Sequence, residues 1–468
     1  MSAPDIGPDV MTQFAALTGE AELTFLLGAG ASAPSGLPTW NEFASRLLVS
    51  CGLVETPQAA DIILSRQDPS IALEAAHSRA GDSWFELLNA ALYGDLPFVP
   101  QPSSVHRAAA GHFLANPRRT TLATLNFDTL LEGALLDEGE KIVRIGYGNR
   151  GIRSKPSVHH LHGVVFNDNA FEPIVGYRDF AELVANDQAW QRKFLHDALS
   201  RGPLLLAGTS YRDPDIRHWL HQVLGDQTAS HTALVTIVRE GLGLEGSEFE
   251  QVQKALVAEW EAIGLRALLM QDLADVALVI RELRHLTRDG YLSPKERATA
   301  VWKALVGQFH DLQPKLSSSL EDDTKAVAEA LGVSAHQGTL WLANGRGKLA
   351  RFAAAGTQFA SERHLKSVPT GHDSPWIAGE AIGTEEVKLR DIQRDRRVTP
   401  QWKSVLAIPV FVGNGCEPDF ATAVITFGLA CTAAKLDARQ DDWSSIAQRL
   451  SSTWGTRLSS LAFDQVVE

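Results

Sequence analysis

The stretch FLLGAGASAPSGLPTW, residues 25–40, decides the fold of the first half of the chain. An apolar run ends at Gly28-Ala29-Gly30, where glycine permits a tight turn or a close approach of backbone to a ligand, because no Cβ stands in the way. With Ala33 the spacing also satisfies the relaxed dinucleotide fingerprint Gly-x-Gly-x-x-Ala. The pattern predicts a strand followed by a loop that either holds a nucleotide or only turns the chain into a helix.

Similar apolar runs recur up to about residue 288 and alternate with helical patterns. Near-continuous apolar strands separated by helices are typical of a mostly parallel sheet that is covered on both faces. We therefore predict a doubly wound, Rossmann-like α/β domain over residues 1–290, with a helical insertion at about 52–118 that follows a helix capped by Thr39 and Glu42. The predicted strands are LTFLLG (23–28), TTLATL (120–125), KIVRIG (141–146), SVHHLHG (157–163), PLLLAG (203–208), TALVTIV (232–238) and LRALLM (265–270).

The pattern changes near residue 290. Ser293, Pro294 and Glu296 form a helix-start signal, and the sequence predicts a linker helix over 291–317. Beyond it, TLWLANGRGKLARF and SVLAIPVFVGNGCEPDFATAVITF each place Asn-Gly between β-rich runs, which is a strong hairpin signal. We expect residues 318–468 to form an α+β domain with an antiparallel sheet, bracketed by helices near 319–332 and 439–462.

Composition limits the kinds of partner. The formal charge of −13 argues against a broad surface for nucleic acid or anionic membrane and favours a small ligand or a protein partner. The three cysteines are too few for a four-thiolate zinc site and too scattered for a disulfide framework, as expected in a reducing cytoplasm. No apolar stretch is long enough to span a bilayer and no signal peptide is visible, so we expect a cytoplasmic protein.

Polar residues follow three of the predicted strands. Asn126 comes immediately after one strand, at the carboxyl edge where open α/β sheets bind ligands. Asp128 is either a helix N-cap or a catalytic group. The loop Gly208-Thr209-Ser210 follows another strand, and its amides and hydroxyls could hold a phosphate or ribose.

Three histidines lie in the third stretch. On a strand, His160 and His162 would share one face and His159 would point to the other. Two interpretations remain open: a metal site built from these histidines, or a single working histidine, His162, next to a glycine that leaves room for a ligand.

Four motifs in this order, GAGAS…SGLP, TLNFD, HLHG and GTS, resemble the sirtuin family. They are most similar to its bacterial zinc-free branch, whose sirtuin-like domains act as NAD hydrolases in antiviral defence. The resemblance covers roughly residues 20–288. It implies that Gly28, Ala29, Gly30 and Ser32 form the loop for the NAD pyrophosphate and ribose. It also implies that Asn126 and Asp128 are the ribose-side pair and that His162 is the catalytic histidine. Gly208 and Ser210 would belong to a further loop that contacts the cofactor.

The chain departs from the protein deacylases of that family. Where they carry Asp-Phe-Arg after the Gly-x-Pro element, this chain has Thr39, Trp40 and Asn41, and the four zinc-binding cysteines are missing. These departures argue against recognition of acyl-lysine but not against cleavage of NAD. We expect NAD as a substrate and no bound metal. The alternatives are an NAD-dependent deacylase and a non-catalytic sensor of NAD or an ADP-ribose-type nucleotide.

The segment from about 318 onward is similar to GAF domains, which sense small molecules and dimerise. GEAIGT, DIQRDRR and SVLAIPV followed by AVITFG carry this resemblance. A different regulatory module of the same size is the alternative. The combination implies a homo-oligomeric effector of abortive infection that depletes cellular NAD when a small-molecule or phage-derived trigger acts on the C-terminal domain.

Overall fold

The computed structural model describes residues 3–19, 21–94, 99–140, 143–146, 156–166, 169–171, 173–209, 214–225, 232–392, 402–437 and 440–463. The chain forms two compact units. One is Ala15–Arg284, and the other joins Met1–Phe14, which contains helix α1 (Pro8–Gln13), to His285–Glu468. No helix in the described ranges is both long and apolar enough to cross a lipid bilayer.

The unit Ala15–Arg284 is built on a parallel sheet. All seven predicted apolar runs form its strands, so the predicted doubly wound sheet is confirmed. A short antiparallel hairpin, β5–β6, was not predicted. The strands are β1 (Leu23–Leu27), β2 (Thr120–Thr124), β3 (Arg144–Gly146), β4 (Ser157–His160), β5 (Val164–Phe166), β6 (Asn169–Phe171), β7 (Leu204–Ala207), β8 (Ala233–Val238) and β9 (Arg266–Met270).

The strand order indicates where a ligand would bind to the sheet. The sheet runs β3-β4-β2-β1-β7-β8-β9, so the chain builds outward from β1 first in one direction and then in the other. The carboxyl ends of β1 and β7 therefore lie side by side at the point where the order reverses, which is the position where open α/β sheets bind ligands.

Helices cover the sheet and form the predicted insertion. A separate apolar cluster joins the helices α3 to α6, whereas α7 packs against β2 and neighbouring helices. The helices that share this apolar cluster run from Trp40 to Tyr93, whereas the helical insertion was predicted at about 52–118. The helices are α2 (Ala29–Ser32), α3 (Trp40–Ser50), α4 (Pro57–Leu64), α5 (Pro69–Ala80), α6 (Trp84–Tyr93), α7 (Ser104–Ala115), α8 (Leu130–Asp137), α9 (Tyr177–Ala185), α10 (Trp190–Arg201), α11 (Pro214–Gly225), α12 (Arg239–Leu242), α13 (Gly246–Glu261) and α14 (Leu273–Glu282).

The second unit contains the predicted antiparallel sheet, in the order β12-β11-β10-β15-β14-β13. Both Asn-Gly pairs lie in loops between antiparallel neighbours, β10–β11 and β14–β15, as predicted. The elements are β10 (Ala335–Ala343), β11 (Lys348–Ala354), β12 (Ser367–Pro369), β13 (Lys388–Asp391), β14 (Ser404–Val412) and β15 (Phe420–Leu429), with α15 (Pro294–Gly307), α16 (Phe309–Leu331), α17 (Ile377–Thr384), α18 (Ala433–Asp437) and α19 (Gln440–Phe463).

The segment predicted as a linker helix belongs to the core of this second unit. Residues 291–317 form α15 and the start of α16, and Gln308 separates these two helices. The helix predicted near 319–332 is the second part of α16, which continues to Leu331. The reason is burial: Leu305, Leu312 and Leu316 lie in one apolar cluster with residues of the sheet. The Ser293–Glu296 capping interaction at the start of α15 is present as predicted.

Removing a buried side chain from α16 should therefore destabilise the second unit. We expect Leu316→Ala to lower the free energy of unfolding by about 2 to 5 kcal/mol, the usual cost of a Leu-to-Ala cavity. The neighbouring Lys315 is exposed, and Lys315→Ala should change stability by less than about 0.5 kcal/mol. Denaturant titration of both variants measures the difference, and equal stabilities would show that the segment is only a connector.

Candidate active site

The glycine-containing loops after β1 and β7 contact each other at the switch point, where the strand order of the sheet reverses. The amide of Gly30 donates a hydrogen bond to the oxygen of Gly208 (2.8 Å), and a Cβ on Gly28 would lie 2.6 Å from that same oxygen. Gly208 itself has φ of +69°, a region that favours glycine. The structure thus gives these glycines a packing reason: they let the loops after β1 and β7 meet backbone to backbone.

Alanine at these positions should separate the loops. We expect Gly28→Ala to lower the free energy of unfolding by about 1 to 3 kcal/mol, because the new methyl group overpacks rigid backbone. Gly111 in α7 is a matched control, since a Cβ there meets nothing within 4 Å. Gly111→Ala should be neutral or stabilise the protein by up to about 1 kcal/mol through helix propensity. Thermal or urea unfolding distinguishes the two, and an unaffected Gly28→Ala would contradict the contact.

The loop after β1 turns Ser32 into the protein. Ala29–Ser32 makes a single helical turn, a 3-10 turn containing Pro34 follows, and Gly36 ends it with φ of +83°. Proline thus stops the long helix of an ordinary dinucleotide-binding unit. The next helix starts only at Trp40, where Thr39 and Glu42 form the predicted capping box. Ser32 is buried as a result.

Ser32, Asn126 and Asp128 form one hydrogen-bonded cluster. The side-chain amide of Asn126 donates from Nδ2 to the oxygen of Gly28 (3.0 Å) and to Oγ of Ser32 (2.8 Å). Oγ of Ser32 donates in turn to Oδ2 of Asp128 (2.7 Å). Because the Gly28 carbonyl can only accept, the orientation of the amide is fixed. Oδ1 of Asn126 is left without a hydrogen-bond partner among the described residues.

Asp128 bonds both to the start of a helix and to the polar cluster. Its Oδ1 accepts from the amide of Leu130 (3.0 Å) at the start of α8, although Thr129 is the residue at the N-cap position. Its Oδ2 is held by Ser32 in the cluster just described. Burial raises the pKa of Asp128, and the hydrogen bonds from Leu130 and Ser32 and the nearby His160 oppose that rise.

The three histidines have separate environments, so the metal alternative for them is wrong. Strand β4 ends at His160, and His162 lies in the turn beyond it, so the predicted shared strand face of these two residues is also wrong. The ring of His159 packs against Phe194 (4.9 Å between centroids), whereas His160 bonds to Glu132 and to the oxygen of Asn126. The ring of His162 stands edge-on to Phe180 (5.7 Å).

His162 shares a pocket with the polar cluster. Polar groups of Ser32, Asn126, Asp128 and His162 line it together with Ala29. Apolar and aromatic side chains form the rest of the wall, so few water molecules would surround a bound group there. These side chains are Leu37, Pro38, Trp40, Phe43, Leu92, Leu125, Phe127 and Phe180.

A second cleft shares two lining residues, Ala29 and Trp40, with this pocket. Gly30, Gly208 and Thr209 line the second cleft together with residues after β8, including Gly241. Oγ1 of Thr209 is buried and has no hydrogen-bond partner among the described residues. Ser210, the remaining predicted contact of this loop, lies outside the described residues.

Sequence reasoning missed one buried histidine close to this cluster and the partner of another. Nε2 of His106 in α7 lies 3.5 Å from Oγ of Ser32, and burial lowers the pKa of His106 to about 3, so its ring is neutral. Nδ1 is held by Ser103, which caps α7. The Ser103-x-x-His106 spacing was the available signal for the capping interaction, but nothing local links α7 to Ser32. His160 was singled out from the sequence, but its pairing with Glu132 was not predicted.

Comparisons with known proteins give one family match and distant relatives. Residues 120–268 match the model of the SIR2-like domain. The uncharacterized protein y4cA of Sinorhizobium fredii is 25% identical over 276 residues, which is 56% of this chain and 22% of that protein, so the chain spans about a fifth of its length.

Two solved structures are similar to parts of the chain. A Sir2 homologue mutant in complex with ADP-ribose is 17% identical, with a TM-score of 0.30 over 60% of this chain and 97% of that one. A structure of the GAF domain is 13% identical, with a TM-score of 0.21 over 36% of this chain and 98% of that one. The match to the SIR2-like domain covers the segment that carries Asn126, Asp128, His162 and Gly208.

Proposed function

We propose that this protein is an NAD hydrolase, which cleaves the bond between nicotinamide and ribose to give nicotinamide and ADP-ribose. The observation that carries the proposal is the pocket lined by Ser32, Asn126, Asp128 and His162. It lies beside the contact of Gly30 with Gly208 at the switch point of the sheet. The match of residues 120–268 to the SIR2-like domain supports NAD as the ligand.

The chemistry of NAD suits a site without a pair of acid and base carboxylates. Nicotinamide is cationic in NAD and departs as a neutral molecule, because the electrons of the broken C–N bond return to its ring nitrogen. No acid has to protonate the leaving group, unlike in glycosidases. The site must hold the ribose, tolerate positive charge at the anomeric carbon and bring a water molecule to the open face.

Each polar residue of the pocket has a role in this reaction. Oδ1 of Asn126 accepts a hydrogen bond from the attacking water or from a ribose hydroxyl, since Nδ2 is already engaged by Gly28 and Ser32. His162 takes the proton that the water loses as its oxygen bonds to the anomeric carbon, because imidazole exchanges protons near neutral pH. The Asp128 carboxylate favours the developing positive charge.

The glycine loops are proposed to hold the rest of the dinucleotide. Gly28, Ala29, Gly30 and Ser32 would contact the pyrophosphate and ribose. Thr209 would satisfy its buried hydroxyl by bonding to a cofactor oxygen, and Gly208 and Ser210 complete that loop in the proposal. The pocket and the second cleft share Ala29 and Trp40, which supports one elongated binding region.

Loss of Asn126 or His162 should abolish the reaction. Incubation of the full chain with NAD should release nicotinamide, and Asn126→Ala and His162→Ala should each lower the rate by about 100-fold or more, the usual range for a lost proton-transfer group. His196→Ala is the control, since His196 is half exposed on α10 and pairs with its neighbour Asp197. Chromatography measures nicotinamide, and circular dichroism checks that the variants are folded.

The same incubation separates the two alternatives. If an acetylated peptide loses its acetyl group only when NAD is present, the protein is a deacylase rather than a hydrolase. If NAD binds but stays intact, also in cells, the protein is a non-catalytic sensor. Wild-type rates in both Asn126→Ala and His162→Ala would remove the proposed roles of these residues.

We further propose that the C-terminal unit controls the activity in antiviral defence, as a homo-oligomer that responds to a phage-derived or small-molecule trigger. The basis is the similarity of that half to GAF domains and of the first half to zinc-free, sirtuin-like NAD hydrolases. Unrestrained hydrolysis of NAD would kill the host, so the trigger should raise the rate above the basal rate of the full chain. Cellular NAD should fall after phage infection in cells with the wild-type chain but not with His162→Ala. Constant NAD in both would contradict the defence role.

A further inference from the structure

A fully buried ion pair contacts the backbone of Asn126 without lining the pocket. His160 ends β4, and its Nδ1 lies 3.0 Å from the main-chain oxygen of Asn126. Its Nε2 lies 2.7 Å from Oε1 of Glu132 in α8. Both side chains are almost completely inaccessible to solvent, and neither has a role in the reaction described above.

The partners fix the charge on the His160 ring. The Asn126 carbonyl can only accept a hydrogen bond, so Nδ1 carries a hydrogen. When Glu132 is ionised its carboxylate can also only accept, so Nε2 then carries the second hydrogen and the ring is an imidazolium. Burial disfavours this charge, but Glu132, the hydrogen bond to Asn126 and the nearby Asp128 raise the pKa of His160 above its usual value.

We propose that His160 and Glu132 are positioning residues for the cleavage of NAD, and that they act together. The imidazolium–carboxylate pair holds the peptide that follows Asn126 and supplies the positive charge that keeps Asp128 ionised beside Ser32. With His160 positive and both carboxylates negative, the buried group keeps one net negative charge, which favours positive charge on the ribose. This inference rests on the proposed function for the reaction that it serves.

Few other titratable groups face this pair. Asp128 comes from the loop after β2, and Tyr93 comes from α6, where burial and then Asp128 raise its pKa. His159, the neighbour on β4, is kept neutral because burial and then the charge of His160 lower its pKa to about 4. When the pH is raised and His160 loses its proton, the charge beside Asp128 changes. Tyr93 and His159 stay neutral during this change.

Three glutamine variants test the pair in the full chain. Glu132→Gln and His160→Gln should each lower kcat for nicotinamide release at least tenfold and change KM for NAD less than twofold. The acid limb of the kcat–pH profile of His160→Gln should move to higher pH, because Asp128 loses the cation that favours its ionised form. His159→Gln, one residue away on the same strand, should keep the wild-type kcat and profile. Wild-type kcat and profiles in Glu132→Gln and His160→Gln would overturn the proposal.

If the variants do not fold, the protonation state of the histidine rings in the wild-type chain still tests the proposal. With ¹⁵N-labelled histidine, NMR should show one ring with both nitrogens protonated at pH 7.5, where ordinary histidines are neutral. The absence of any such ring overturns the proposal. If the wild-type chain binds NAD but releases no nicotinamide, the proposed function fails separately. In that case the same spectra decide: loss of the doubly protonated ring in Glu132→Gln, with that ring kept in His159→Gln, supports the proposed pair, and an unchanged ring in Glu132→Gln overturns it.

Discussion

The hydroxyl of Ser32 is the interaction on which the candidate site depends. It accepts from Asn126 and donates to Asp128, so it joins the loop after β1 to the loop after β2. A hydroxyl has a single hydrogen, and its donation to Asp128 means that Asn126 must be the donor in the other bond. The direction of both bonds is thereby set, and Oδ1 of Asn126 is the group left to bind a ligand.

The backbone explains why Ser32 can reach that position. The loops after β1 and β7 meet through glycines, and Pro34 ends the first helical turn immediately after Ser32. A longer helix at this point would continue along the sheet, as in ordinary dinucleotide-binding units. The short turn instead lets the chain double back to Trp40, which lines both the pocket and the cleft beside it.

The sheet and the strand-end residues could be predicted from the sequence because both depend on local patterns. Buried parallel strands are continuous apolar runs, and Asn126 directly follows one of them. The position of His162 was predicted less well, since a period of two residues does not reveal that β4 stops at His160. The partnership of His160 with Glu132 joins residues 28 positions apart and requires the pairing of β2 with β4. No local pattern encodes it.

The central claim is that one pocket holds the nicotinamide-bearing ribose of NAD between Asn126 and His162. A crystal structure of the His162→Ala variant with NAD tests it most directly. The account predicts that this ribose lies within hydrogen-bond reach of Asn126, with the pyrophosphate along the loops of Gly30 and Gly208. A dinucleotide bound with its nicotinamide outside the pocket, or bound elsewhere on the chain, would contradict the account.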